Sequence, residues 1–230
     1  MDVAYVSAFA HSRCSRKFAS DPRPNTQFMD SSHSSHVALR LDVLPAPTKR
    51  ALDILVEASW LKRSSWYLAG GTALALQAGH RSSVDLDFFL PKHNFSSAKL
   101  LKYFEKDKWE TDILRENTVY GKLAKAKVSF IAYPFFVPEK PYHWYGAVRI
   151  LDVDDIAVMK IIAISQRGTK RDFVDLYWYC TKRGALAEVF LKLDDQYPSV
   201  THNYQHILKS LTYFDDAENE PMPKLFFKAT

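Results

Sequence analysis

Residues 67–90 read YLAGGTALALQAGHRSSVDLDFFL, and two features in this stretch decide the reading of the chain. Gly70 and Gly71 close a short apolar run in a chain that has only seven glycines, and Asp85 and Asp87 interrupt another. Glycines between a strand and a helix let the backbone approach a ligand closely, and the first turn of the helix then offers free N–H groups to phosphate. Thr72 adds a hydroxyl at the same point. GGT by itself also suits a tight turn with no ligand, and no GxxxxGK[ST] occurs. Downstream, residues 83–90 alternate like a strand, so Ser83, Asp85, Asp87 and Phe89 share one face and Val84, Leu86, Phe88 and Leu90 the other. Two carboxylates then lie on one side, with Cα atoms roughly 6–7 Å apart. That pairing is unfavourable in a half-buried sheet unless a cation answers it, and Mg²⁺ is a hard ion that selects such oxygens. The plain alternative is an edge strand with solvated carboxylates. Twelve residues separate Thr72 from Asp85, so a phosphate cradle and a metal-binding pair fall on consecutive elements. His80 and Arg81, just ahead of the strand, are placed to contact a phosphate tail.

Working outward, Pro47 suits the first turn of an amphipathic helix that the pattern PTKRALDILVEASWLKR carries to about Arg63. WYLA (66–69) reads as a short buried strand and TALALQAG (72–79) as a helix opening after the glycines. Pro91 ends the strand 83–90, and SSAKLLKYFEKD (96–107) is a helix with serine caps. WETDILREN, VYGKLAK and KVSFIAYPFF give three strands between about 109 and 137. VRILDV leads to a helix capped at Asp152 or Asp154, which runs through IAVMKIIAISQR until Gly168 breaks it. KRDFVDLYWYCTKR, ALAEVFLKLDDQY and NYQHILKSLTYF complete a helical second half, and DDAENEPMPK reads as an exposed acidic tail. Strands come first and helices later, with no internal repeat. The pattern is α+β, with a strand-rich core at 37–150 and a helical half at 151–230.

With 47% hydrophobic and 14% aromatic residues, the 230-residue chain can build a substantial core, which excludes disorder of the whole. A net charge of +5 suits a nucleotide or nucleic-acid partner without requiring one. Cys14 and Cys180 make no CxxC, so neither a disulfide framework nor a zinc ribbon is indicated. No apolar run approaches the length of a membrane span. The expected setting is cytoplasmic, without a membrane. Residues 1–36 are expected to form a disordered or extended arm, because the stretch from Ala10 to His36 is rich in Ser, His, Asn and Pro. It lacks the core of a secretory signal. His33 and His36 read as solvated there, and Met29 as an alternative start.

Two later stretches bear on chemistry. In the helix from Asp155, Ile156, Met159 and Ala163 form an apolar stripe with Lys160 beside it. A lysine so placed either snorkels to solvent or presents its ammonium to a phosphate. Asp172 and Asp175 are three apart and share a face of the next helix. Acids near a helix start are favourable in themselves, and Arg171 is placed to pair with Asp175.

GGTALALQAGHRSSVDLDFF resembles the first motif of the nucleotidyltransferase superfamily, hG[GST] followed by DxD. Joined in order by VSFIAYPF (128–135), DIAVMKIIAISQRGTKRDFVDLYW (155–178) and LTYFDDAENEPMP (211–223), it is most similar to the AbiEii/AbiGii toxin family, which includes the mycobacterial MenT toxins. The resemblance covers nearly everything from about residue 46 onward. It implies a nucleotidyltransferase-type mixed β-sheet flanked by helices, with the helical C-terminal half completing the active-site cleft. It also implies Mg²⁺-dependent transfer of NMP from an NTP to a hydroxyl, in the toxin of an abortive-infection or type IV toxin–antitoxin pair. RNA such as a tRNA acceptor end would be the acceptor, and a cognate antitoxin the partner. On that resemblance Asp85 and Asp87 hold Mg²⁺, with Mn²⁺ as an alternative, while Gly70, Gly71, Thr72, Arg81 and Ser83 seat the nucleotide. Lys160 stabilises charge on the phosphates, and Asp175, with Asp172 as its rival, orients or deprotonates the acceptor. One departure stands out. Polymerase-type members carry a third carboxylate on a later strand, whereas the matching face of KVSFIA offers Lys127, Ser129 and Ile131. Three other readings stay open: transfer to a small molecule or protein side chain, a catalytically silent nucleotide-binding module, and an interaction protein in which GG and DxD are incidental.

Overall fold

Pro47 falls in the first turn of helix α1 (Ala46–Val56), where its fixed φ and missing N–H cost nothing. The helix stops at Glu57 instead of reaching Arg63, and a short α2 (Ser59–Lys62) follows. The cause is tertiary. The Val56 carbonyl accepts from the Ala147 N–H at 2.7 Å, and Gly146, at φ 57°, packs so closely on Val56 that a side chain there would collide. The structure is a computed structural model and describes residues 38–228, so the expected arm at 1–36 lies outside the described residues.

Strand β1 (Tyr67–Ala69) runs directly into helix α3 (Gly70–Ala78), whose Ala73–Leu76 segment is buried and which ends on a left-handed Gly79. Strand β2 (Leu86–Leu90) alternates buried and half-buried residues. The sequence alternation suggested a start at 83, but residues 82–85 bond outside the sheet. The Ser82 N–H donates to the Lys224 carbonyl at 2.8 Å, the Ser82 hydroxyl to the Val43 carbonyl at 3.0 Å, and the Thr48 hydroxyl to the Val84 carbonyl at 2.8 Å. Asp85 therefore stands just before the strand and Asp87 within it.

After the Ser96-capped helix α4 (Ser97–Lys102), strands β3 (Trp109–Arg115), β4 (Thr118–Leu123) and β5 (Ala126–Ala132) form an antiparallel meander. A hairpin of β6 (His143–Tyr145) and β7 (Val148–Ile150) follows; its first arm carries no alternation that sequence reading could use. All seven strands join one mixed sheet in the order β3-β4-β5-β2-β1-β7-β6. Within it β2 runs antiparallel to β1 and parallel to β5. Phe88 and Phe130 stack across that parallel pair at 5.2 Å, and Trp66 meets Phe130 edge-on at 5.1 Å. Burial of each such ring contributes about 1.5–3 kcal/mol.

The second half is helical: α5 (Val153–Arg167), α6 (Lys170–Lys182), α7 (Leu186–Leu191), α8 (Leu193–Gln196), α9 (Tyr204–Ser210) and α10 (Asp215–Glu218). Asp152 caps α5 by accepting the Asp154 N–H at 2.9 Å, and Gly168, at φ 53°, ends it. Helix α3 packs against both α5 and α6, which brings the glycine turn up to the helical half. Among the described residues no helix is long and apolar enough to cross a membrane.

Candidate active site

Asp87 lies in register between Ala69 of β1 and Ser129 of β5, two small residues that leave room around its carboxylate. The Ser129 hydroxyl donates to Asp87 Oδ1 at 2.7 Å. Ser129 thus stands on the strand face where a third acid was sought and supplies a hydrogen bond instead. Asp87 Oδ2 comes within 3.2 Å of where a Cβ on Gly70 would lie, and Gly70 has φ 70°. Both the backbone conformation and the closeness of this carboxylate call for glycine. Burial pushes the Asp87 carboxyl above its usual range, opposed by the Ser129 bond and reinforced by Asp85. The nearest cation to Asp85 is Arg171, whose Nη1 lies 3.5 Å from Oδ2, at the limit of hydrogen bonding. Two acids therefore meet with little direct compensation, and hard oxygen donors in that state fit a divalent cation. Among the described residues no group of three or more His, Cys, Asp or Glu could hold a metal ion. A cation on this pair would complete its shell with water and phosphate oxygens, a common arrangement for Mg²⁺.

The second glycine serves a different neighbour. A Cβ on Gly71 would sit 2.2 Å from Nη2 of Arg81. Arg81 Nε and Nη2 donate to the two oxygens of Asp175 at 2.6 and 2.8 Å, and Nη1 donates to the Ser82 carbonyl at 2.9 Å. Every nitrogen of this buried guanidinium already has a protein partner. Thr72 and Ser83, also buried, lie with hydroxyls 2.8 Å apart, and the Thr72 hydroxyl donates to the Asp85 carbonyl. These side chains fix the backbone leading to Asp85.

Asp175 is the centre of a buried ion network. Besides Arg81 it takes His80 Nε2 at 2.6 Å and Lys160 Nζ at 2.6 Å. Lys160 also meets Asp172 Oδ1 at 2.7 Å, with only 5% of its side chain exposed, so it does not snorkel. Asp172 further accepts from Arg167 Nε at 2.8 Å and the Thr169 hydroxyl at 2.7 Å. Burial disfavours both carboxylates, but Lys160 and Arg167 hold Asp172, and Lys160 and Arg81 hold Asp175, well below the usual carboxylate range. His80 is pushed down by burial, against the pull of Asp175, and so is neutral near pH 7. Its Nε2 is then the protonated nitrogen, and Nδ1 is buried without a partner. Three cations face two acids here, so the network adds positive charge beside Asp87. Arg171, which the sequence placed beside Asp175, pairs with Asp85 instead.

Arg167 is a side chain of the site that sequence reading missed. Arg167 keeps 44% of its side chain exposed while bonded to Asp172. It lies seven residues after Lys160, close to two helical turns, and that spacing could have flagged it. Tyr120, in register with Ser129 on the Asp87 side, has its phenol pushed up by burial and by Asp87.

Residues 53–110 and 127–229 match the sequence profile of the AbiEii nucleotidyl transferase toxins of type IV toxin–antitoxin systems. An uncharacterized protein of Aquifex aeolicus is 36% identical over 163 residues, covering 68% of this chain and 77% of its own length. Among solved structures, JHP933 from Helicobacter pylori aligns with a TM-score of 0.44 at 15% identity, covering 74% of this chain and 90% of that one. MenT4, a nucleotidyltransferase toxin of Mycobacterium tuberculosis, aligns with a TM-score of 0.43 at 15% identity, covering 65% of this chain and 64% of its own. The profile match takes in the glycine turn, the carboxylate pair and the Lys160–Asp175 network together, and the chain belongs to the AbiEii nucleotidyltransferase toxin family.

Proposed function

We propose that the protein transfers a nucleoside monophosphate from an NTP to a hydroxyl of RNA, such as a tRNA acceptor end, with Asp85 and Asp87 holding Mg²⁺ or Mn²⁺. The observation that carries this reading is the Asp87 carboxylate, pushed up by burial, beside Asp85 and in close contact with Gly70. When bound, the cation would neutralise the triphosphate and make the acceptor hydroxyl more acidic. The acceptor oxygen forms a bond to the α-phosphorus as the bond to the β-phosphate oxygen breaks. Pyrophosphate leaves with that electron pair, and the hydroxyl proton passes to water.

The chain's own residues position and stabilise. Gly70 lets phosphate approach the carboxylates, and the half-exposed Arg167 is the cation best placed to meet charge building on the phosphates. Lys160, held by both acids, sets the field around Asp87 from behind. Asp175 carries four donated hydrogen bonds and is too weak a base to take the hydroxyl proton, so its role is to orient Lys160 and Arg81. Gly71, Thr72 and Ser83 support the turn. Family membership brings a cognate antitoxin as the partner that restrains the activity.

The test is pyrophosphate release from each NTP with Mg²⁺, with and without total RNA. Release that needs RNA and stops on chelation is expected. Release that proceeds unchanged with RNA absent would remove RNA as the acceptor.

A further inference from the structure

Residues 211–223 were singled out by their resemblance, yet the chemistry above does not use them. In the fold they form a strap. The Lys170 N–H donates to Glu220 Oε2 at 2.9 Å, and Lys170 Nζ to the Glu218 carbonyl at 3.0 Å, which fastens the strap to the start of α6. Beyond it, Lys224 accepts the Ser82 N–H and Phe226 donates to the His80 carbonyl, each at 2.8 Å, which fastens it to the segment before Asp85. Between these anchors a cleft of about 520 Å³ is left open, walled by residues 81–84 on one side and 220–224 on the other. That volume lies in the range of roughly 300–1,000 Å³ typical of pockets for small ligands.

The lining has two characters. Val84, 45% exposed, and Met222, 62% exposed, are apolar side chains on opposite walls, with Pro221 and Pro223 beside Met222. Arg171 and Lys224 supply cations, and the Glu220 carboxylate is already bonded to the α6 backbone. The acids Asp215 and Asp216 do not line the cleft. Arg171, which lines the cleft, also reaches Asp85 at 3.5 Å and so links the cleft to one member of the carboxylate pair. Gly70 lies instead against Asp87, and Tyr120 is in register with Ser129, whose hydroxyl donates to Asp87.

In an in-line transfer the acceptor oxygen must arrive opposite the departing pyrophosphate, so the acceptor needs a seat of its own beside the carboxylate pair. Resting on the RNA reading above, we infer that this cleft seats the terminal nucleotide of a single-stranded acceptor, its base between Val84 and Met222 and its phosphate on Arg171 and Lys224. Exposed apolar side chains flanked by cations suit the face of a base and its phosphate, and contact with a base face leaves the base edges unread, so different bases are accepted. The strap, and not the sheet, then selects the acceptor.

A ten-nucleotide, fluorescently labelled oligoribonucleotide with a free 3′-hydroxyl serves as the probe, and its binding is read by anisotropy. NTP binding is titrated separately, and melting temperature checks the fold. Met222→Glu and Lys224→Glu alter exposed side chains, and each should weaken oligonucleotide binding by about tenfold or more. NTP affinity should stay within about twofold. Equal weakening of NTP would assign the cleft to the nucleotide substrate and overturn the inference. If the wild type and both variants bind the oligonucleotide alike, the cleft is not its seat, although RNA remains the acceptor. If the wild type binds NTP but no oligonucleotide, the RNA reading and the inference fall together, and a protein acceptor becomes the reading to pursue.

Discussion

Replacing Lys160 with Met separates a buried ion network from a lysine that only covers apolar surface. The methionine keeps most of the stem, so packing on α5 is nearly preserved and the charge is the main loss. In the fold the ammonium is 2.7 Å from Asp172 and 2.6 Å from Asp175, with 5% of the side chain exposed. Breaking a buried pair from one side typically costs about 3–5 kcal/mol, because the partner charge stays desolvated. Here each acid keeps other donors, Arg167 and Thr169 on Asp172 and Arg81 and His80 on Asp175, so the lower part of that range applies. A loss of about 3 kcal/mol corresponds to roughly 6–12 °C in melting temperature for a protein of this size. The assay is thermal unfolding at pH 7.5 and again near pH 4, followed by the Asp172→Asn/Lys160→Met double variant. Without Lys160 the two carboxylates take up protons more readily, so the deficit should narrow at the lower pH. Removing one acid should recover part of the loss, since the sites are coupled. A Met variant that melts within a degree or two of wild type at pH 7.5 would refute the network as a stabilising unit.

Three other outcomes follow from the same geometry. Asp87→Asn should abolish transfer while leaving the melting temperature of the metal-free protein unchanged or higher, because a partly buried carboxylate whose charge is disfavoured becomes neutral at equal volume; a clear drop in that temperature would show that the charge supports the fold. Gly71→Ala should cost about 1–3 kcal/mol by forcing Arg81 off Asp175, whereas Gly70→Ala, at φ 70°, should cost about 1–2 kcal/mol and also lose activity by crowding Asp87; melting curves with turnover separate the two. The pH dependence of stability should show two declines on acidification. His80, its folded pKa lowered by burial, loses stability as the pH falls below about 6.5, and Asp172 and Asp175, their folded values lowered by Lys160, lose theirs only below about pH 4. A melting temperature flat from pH 7 to 3 would contradict both.

The stretch from Gly70 to Asp87 was legible because its signals are local. Two glycines after a strand, an apolar helix and alternating aspartates each follow from backbone geometry. Asp87 sits in the strand as the alternation required, and Gly70 carries the positive φ that a close approach implies. What the sequence could not disclose depends on distant partners. Arg81 looked like a phosphate ligand because nothing local showed that Asp175, ninety-four residues on, would take its guanidinium. Lys160 looked free to reach solvent because its two acids come from the next helix. Helix α1 ends early because a β-turn nearly a hundred residues later takes the Val56 carbonyl. The strap's link to Ser82 likewise joins segments with no shared pattern, and that link shortened β2 relative to its alternation.

The central claim is that Asp85 and Asp87 support transfer of the α-phosphate of an NTP, and labelled nucleotide tests it most directly. Wild type and Asp87→Asn are each incubated with RNA and Mg²⁺, once with NTP labelled at the α-phosphate and once at the γ-phosphate. For wild type the α-label should appear on RNA and the γ-label in free pyrophosphate, and the variant should give neither. Label on RNA from the γ-position, or undiminished α-transfer by the Asp87→Asn variant, would contradict the account.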